Sequence, residues 1–177
     1  MTLPNLITVG RLIIVPTILW LITDGRFGAA FVVFVLAGIS DGIDGFIARQ
    51  FNLRSRLGAY LDPLADKALL VSIYLSLTFI AEIPAWLAMI VVSRDLFIIG
   101  GVILSWVLDR PIEVRPLMIS KINTAAQIMY AALVIGDLAF HTGLDDLRGW
   151  FAVVVGVLTV LSAFAYLVDW VRHMARA

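Results

Sequence analysis

The chain contains no cysteine, which excludes disulfides, thiolate zinc sites and cysteine nucleophiles. Charge is scarce as well. Only 15% of its 177 residues are Asp, Glu, Lys or Arg, where a soluble domain carries about 25%. Thirteen basic residues balance thirteen acidic ones, so no excess of either sign points to a nucleic-acid partner. Low-complexity tracts, internal repeats and linker-like stretches are also missing, and a single domain over residues 1–177 is expected. Apolar residues fill the space. They make up 62% of the chain, and mean hydropathy is +1.01. That composition belongs to an integral membrane protein.

Crossing the hydrocarbon core takes about 20 apolar residues in a helix. Six stretches meet or approach that length: 5–23, 28–48, 57–80, 84–108, 118–140 and 149–171. Turn-forming or polar residues separate them, at Asp24 to Arg26, Asn52 to Arg56, Glu82 to Pro84, Asp109 to Pro116 and His141 to Arg148. The expected fold is all-α, with six transmembrane helices around a polar cavity that opens to the cytoplasm and laterally to lipid. Arg11 interrupts the first apolar run and no small-residue cleavage site follows, so a cleaved signal peptide is not expected. Arg49, Arg54, Arg56, Arg110, Arg115, Lys121, Arg172 and Arg176 fall on one side of this topology, against Arg26 and Arg148 on the other. Basic loops stay cytoplasmic, which places both termini there. With no targeting extension evident, the expected location is a bacterial inner membrane. Trp20, Trp86, Trp106, Trp150 and Trp170 all lie near proposed helix ends, as an interfacial aromatic belt requires.

Four acids break the apolar pattern. Residues 41–66 read DGIDGFIARQFNLRSRLGAYLDPLAD. Asp41 and Asp44 are three apart and Asp62 and Asp66 four apart, so each pair shares a helix face one turn apart. The short connection makes the two helices antiparallel neighbours, and both pairs converge at one membrane edge. Ionisable groups at membrane depth are costly and mark function by default. Four like charges need a positive partner, and hard divalent cations with oxygen ligands supply it. Gly42, Gly45, Ala48 and Gly58 allow close approach of a ligand or a backbone, and Arg49, Arg54 and Arg56 suit phosphate. Together these point to a nucleotide diphosphate site, where paired metals clamp the attacking and leaving oxygens of a displacement at phosphorus. A structural polar cluster or a cation pathway is the alternative. A pathway, however, needs polar groups spread through the membrane, and these sit at one edge beside arginines.

The segment fits D-x2-D-G-x2-A-R-x8-G-x3-D-x3-D, with Asp41, Asp44, Gly45, Ala48, Arg49, Gly58, Asp62 and Asp66 at the fixed positions. This pattern resembles the signature of the CDP-alcohol phosphotransferases, and the six-helix layout extends the resemblance over the whole chain. The resemblance implies transfer of a substituted phosphate from a CDP-linked donor to an alcohol, with release of CMP. It implies that Asp41, Asp44 and Asp62 bind two divalent ions, Mg2+ or Mn2+, with Asp66 as general base and additional metal contact. Gly45, Ala48 and Gly58 would line the donor site and Arg49 would hold its pyrophosphate. Asn5, Thr8 and Arg11 resemble the family's first-helix pattern facing the same nucleotide, although Asn5 and Thr8 could also cap the helix and Arg11 could snorkel. A homodimer is a further implication.

The family signature does not fix the acceptor. The remainder of the chain resembles the phospholipid-synthesis members, which implies CDP-diacylglycerol as donor. Arg94 lies within the fourth apolar stretch, Lys121 begins the fifth and Arg115 precedes it. The three are expected to form a cationic pocket for the acceptor's phosphate. Adjacent residues do not face each other on a helix, so Arg94 is not expected to pair with Asp95. Ser93–Asp95, Ile119–Ala125, Leu61–Lys67 and Ile73–Pro84 look most like CDP-diacylglycerol-dependent cardiolipin synthases, which use phosphatidylglycerol. The near relative is phosphatidylglycerolphosphate synthase, which uses glycerol 3-phosphate. Its members usually show Arg-Glu in place of Arg94-Asp95 and often a second lysine in place of Asn123. One cation fewer suits a phosphodiester monoanion. His141, Asp145 and Asp146 fall in the opposite loop, with no sign of a second metal site. Phe31, Phe34, Phe79, Phe97 and Phe164 are expected to face lipid or to pack. No serine–histidine–acid set can be assembled, which favours direct displacement over a covalent enzyme intermediate.

Overall fold

The computed structural model describes residues 3–50, 56–107 and 117–176, with side chains for 13–40, 67–105, 107 and 117–174. Among these residues the secondary structure is entirely helical: α1 (Leu3–Thr23), α2 (Phe27–Gln50), α3 (Arg56–Phe79), α4 (Ala85–Val107), α5 (Met118–Phe140) and α6 (Asp145–Arg176). Each apolar stretch of the sequence is therefore a helix. The last is longer than its apolar run at both ends. Asp145 and Asp146 occupy its first turn, where acidic side chains complement the helix dipole, so α6 begins inside what reads as a polar loop. Three segments are long and apolar enough to cross a membrane: Ala85–Ser105, Met118–Phe140 and Asp145–Met174. The described parts of α1, α2 and α3 supply shorter apolar runs, Ile13–Thr23, Phe27–Ser40 and Lys67–Phe79.

Two helix ends share one stop signal. After α1, the Arg26 amide donates to Leu21 O and Gly25 takes φ 75°. After α3, the Glu82 amide donates to Leu77 O and Ala81 takes φ 62°. Both are left-handed C-terminal caps that satisfy carbonyls the helix leaves open. Glycine adopts that backbone freely, whereas Ala81 does so against its Cβ.

The chain divides into two compact units. The first comprises residues 1–82 and 131–144. Within it α1 packs against both α2 and α3. Leu70, Ile73, Tyr74 and Leu77 bury one stripe of α3, and Ala30, Phe34 and Ala37 one stripe of α2, as 3.6-residue periodicity dictates. Gly136 of α5 admits the ring of Phe31, which meets Phe140 edge-on at 5.4 Å. Asp137 accepts from Thr142 Oγ1 at 2.6 Å and from the Leu144 amide at 3.1 Å, tying down the turn in which His141 and Gly143 have positive φ. Phe31 and Phe34 thus pack, while Phe79 is exposed.

The second unit comprises residues 83–130 and 145–177. Here α4 packs along α6 in the same direction: Trp86 meets Gly156, Arg94 meets Ser162, and Gly101 meets Trp170. Phe97 and Phe164 are exposed on this pair. A Cβ added at Gly156 would lie 2.7 Å from Trp86 Cζ3, closer than carbon atoms tolerate. Gly156→Ala should therefore destabilise by about 1 kcal/mol, at the low end for overpacking because the half-exposed Trp86 can yield. The check is a lower apparent Tm in detergent that returns when Trp86→Leu is added.

Candidate active site

Helical backbone carries all four aspartates, with Asp41 and Asp44 in α2 and Asp62 and Asp66 in α3. Their spacing keeps each pair on one face of its helix, and α2 and α3 share α1 as a neighbour. The side chains of Asn5, Thr8, Arg11, Asp41, Asp44, Gly45, Ala48, Arg49, Gly58, Asp62 and Asp66 lie outside the described ones, and Arg115 lies outside the described residues altogether. Among the described residues no group of three or more potential metal ligands comes together. The fit to a metal therefore rests on the donor set: helix-borne carboxylates, all oxygen ligands, suit a hard cation such as Mg2+ or Mn2+.

The second unit holds a buried polar constellation. Its core is apolar at one end, with Leu87 and Val91 on α4, Tyr130 on α5, and Ala152 and Val155 on α6. One or two turns further along the same stripes the core turns polar: Arg94 and Asp95, then Asn123 and Gln127, then Thr159 and Ser162, all buried. The polar residues form two stacked layers. In one, Arg94 donates through Nη2 to Ser120 Oγ at 2.5 Å and to Ser162 Oγ at 2.8 Å, joining α4, α5 and α6. In the other, Thr159 Oγ1 lies 2.9 Å from Asn123 Oδ1 and accepts from Gln127 Nε2 at 3.2 Å. Ser120 precedes Asn123 by three residues and Thr159 precedes Ser162 by three, so the layers lie one helical turn apart, about 5 Å.

Arg94 departs from the sequence-based expectation, because its Nη1 is 2.5 Å from Asp95 Oδ1. Adjacent Cβ atoms do point apart on a helix, but an ion pair needs only its charged tips to meet. The long arginine side chain can fold back, and burial of both groups strengthens the attraction. Tyr166 lies beside the same guanidinium, with its ring centroid 5.6 Å away. Lys121 is exposed, and the α5 side chain that Arg94 reaches is its neighbour Ser120. The structure thus gathers Arg94, Asp95, Ser120 and Ser162, and leaves Lys121 outside that set. Thr159, Ser162 and Gln127 went unremarked in the sequence. The available signal was polar residues at i, i+3 and i+7 (Ser120, Asn123, Gln127) and at i, i+3 (Thr159, Ser162) inside apolar helices.

Next to this polar end, α4 and α6 flank an apolar cavity of about 790 Å³, lined by Leu96, Phe97, Gly100, Phe164, Tyr166 and Leu167 among others. Trp170 borders it, held by donation from Nε1 to Gly101 O at 3.1 Å and Ser105 Oγ at 3.0 Å.

The family model for CDP-alcohol phosphatidyltransferase matches residues 1–169. The chain belongs to that family. This span includes the four aspartates and both polar layers. Among named relatives of this chain, a Drosophila melanogaster protein called probable cardiolipin synthase (CMP-forming) is 33% identical over 98% of this chain and 58% of its own length. The Rattus norvegicus cardiolipin synthase (CMP-forming) is 36% identical over 79% of this chain and 52% of its own length. The Bacillus subtilis CDP-diacylglycerol–glycerol-3-phosphate 3-phosphatidyltransferase is 33% identical over 93% of this chain and 92% of its own length. The chain thus spans little more than half of the animal relatives and nearly all of the bacterial one.

Proposed function

We propose that this CDP-alcohol phosphatidyltransferase transfers the phosphatidyl group of CDP-diacylglycerol to phosphatidylglycerol, forming cardiolipin and releasing CMP. The observation that carries the reading is the unbroken aspartate signature on α2 and α3. The animal relatives named cardiolipin synthase (CMP-forming) support the choice of acceptor. A second reading, with glycerol 3-phosphate as acceptor, draws support from the Bacillus relative matched nearly end to end.

Asp41, Asp44, Asp62 and Asp66 would hold two divalent cations, which supply Lewis-acid stabilisation of phosphate charge when bound. Asp66 takes the proton of the acceptor hydroxyl. The freed oxygen bonds to the phosphatidyl phosphorus, the phosphorus–oxygen bond to CMP breaks, and CMP leaves with the bonding pair. Gly45, Ala48 and Gly58 give the donor room, Arg49 holds its pyrophosphate, and Asn5 and Thr8 face its nucleotide. Arg94, with Arg115, binds the acceptor's phosphate. The apolar cavity beside Tyr166 suits hydrocarbon chains. In this reading all six helices span the membrane, the polar cavity and both termini face the bacterial cytoplasm, and the protein works as a homodimer.

The test is CMP release by purified protein with CDP-diacylglycerol and Mg2+, run separately with phosphatidylglycerol and with glycerol 3-phosphate. Turnover with phosphatidylglycerol alone is expected. Turnover with glycerol 3-phosphate alone would replace the acceptor and keep the chemistry.

A further inference from the structure

Gly100 in α4 leaves a space that no other described part of the chain fills. Its neighbour Gly101 has a packing reason, since a Cβ there would lie 3.6 Å from the ring of Trp170. At Gly100 a Cβ would meet nothing within 4 Å, although glycine weakens a helix interior relative to almost any other residue. The space belongs to the apolar cavity between α4 and α6. On α4 that cavity runs from Ser93 to Leu104, about 16 Å of helix rise and so roughly half of a hydrocarbon core about 30 Å thick. Both flanking helices are apolar enough to cross a membrane. Phe97 on α4 and Phe164 on α6 line the cavity and are 77% and 63% exposed. A slot between two projecting rings suits a hydrocarbon chain better than a second helix, about 10–12 Å across with its side chains. At the far end Trp170 is pinned by its bonds to Gly101 O and Ser105 Oγ, as an interfacial tryptophan would be. Arg172 is exposed and lies three residues past Asp169, which lines the cavity. The two share a face of α6, which puts a cation at that end for a lipid phosphate.

We propose that this cavity is a phospholipid site: one acyl chain lies over Gly100 between Phe97 and Phe164, with the head-group phosphate at Arg172. That head group sits beyond Ser105, about 16 Å along α4 from Arg94. The seated lipid is therefore distinct from an acceptor bound at Arg94. It packs the seam between α4 and α6 as a resident lipid.

The test is native mass spectrometry of the full chain released from phosphatidylcholine nanodiscs. The wild type is expected to retain one phosphatidylcholine per chain. Gly100→Leu should cut the retained fraction by about tenfold or more, the scale of overpacking a filled site, and leucine should not harm the helix. Gly28→Leu, equally open but on α2, should retain the lipid. No retention by the wild type, or equal retention by Gly100→Leu, would overturn the proposal. So would a Gly100→Leu protein that keeps its lipid and loses an oligomer, which would assign the cavity to a second copy. If Gly100→Leu does not fold, labelling of the wild type decides. A phosphatidylcholine with a diazirine in its acyl chain should label Phe97, Gly100 and Phe164 ahead of Leu36 and Met129, which are exposed at mid-helix elsewhere; even labelling would overturn the site. Phosphatidylcholine is neither donor nor acceptor in the proposed reaction, so failure of that reaction leaves this result standing.

Discussion

Asp66→Asn should lower CMP release by about 10²- to 10⁴-fold, the usual contribution of a positioned general base, while CDP-diacylglycerol still binds. Asparagine keeps the shape and one oxygen of the carboxylate but cannot accept the acceptor's proton at neutral pH. Asp66 sits in α3 one turn beyond Asp62, which sets the two acids in line along one helix face. The measurement is single-turnover CMP release beside an independent donor-binding assay. Unchanged turnover with intact donor binding would remove the general-base role. Loss of donor binding along with turnover would make Asp66 chiefly a metal ligand.

Stripping divalent cations should be at least as severe. Four carboxylates with no bound cation would repel one another and the donor's pyrophosphate, so chelation should cut CMP release by about 10³-fold or more, in line with several kcal/mol of lost charge stabilisation. Adding back Mg2+ or Mn2+ should restore it. Asp41→Ala, which removes one oxygen donor from α2, should shift the restoring metal concentration upward. Full activity in excess chelator would exclude the metal reading and leave the aspartates without their proposed partner.

The sequence made the helices legible because apolar run length is a direct physical requirement of a membrane span. It located the aspartates because carboxylates cannot hide in so apolar a chain. It failed where local rules met tertiary contacts. Asp145 and Asp146 read as loop residues, yet they start α6, since acidic groups are welcome in a first helical turn. Arg94 and Asp95 were set apart by helix geometry and are joined by side-chain reach and shared burial. Thr159 and Ser162 were invisible because single hydroxyls in an apolar helix can bond to their own backbone, as Thr159 also does to Val155 O at 2.8 Å. Only the partner helices show that they face Asn123 and Arg94.

The two polar layers also fix helix height. Between membrane helices, one apolar face slides past another with little preference, because lipid is as apolar as either. A slip of α6 by a single turn against α4 and α5 would carry Ser162 away from Arg94 and Thr159 away from Asn123, leaving buried polar groups opposite hydrocarbon. The same side chains that give this unit its polar end therefore act as a ratchet, holding α4, α5 and α6 at one depth relative to each other.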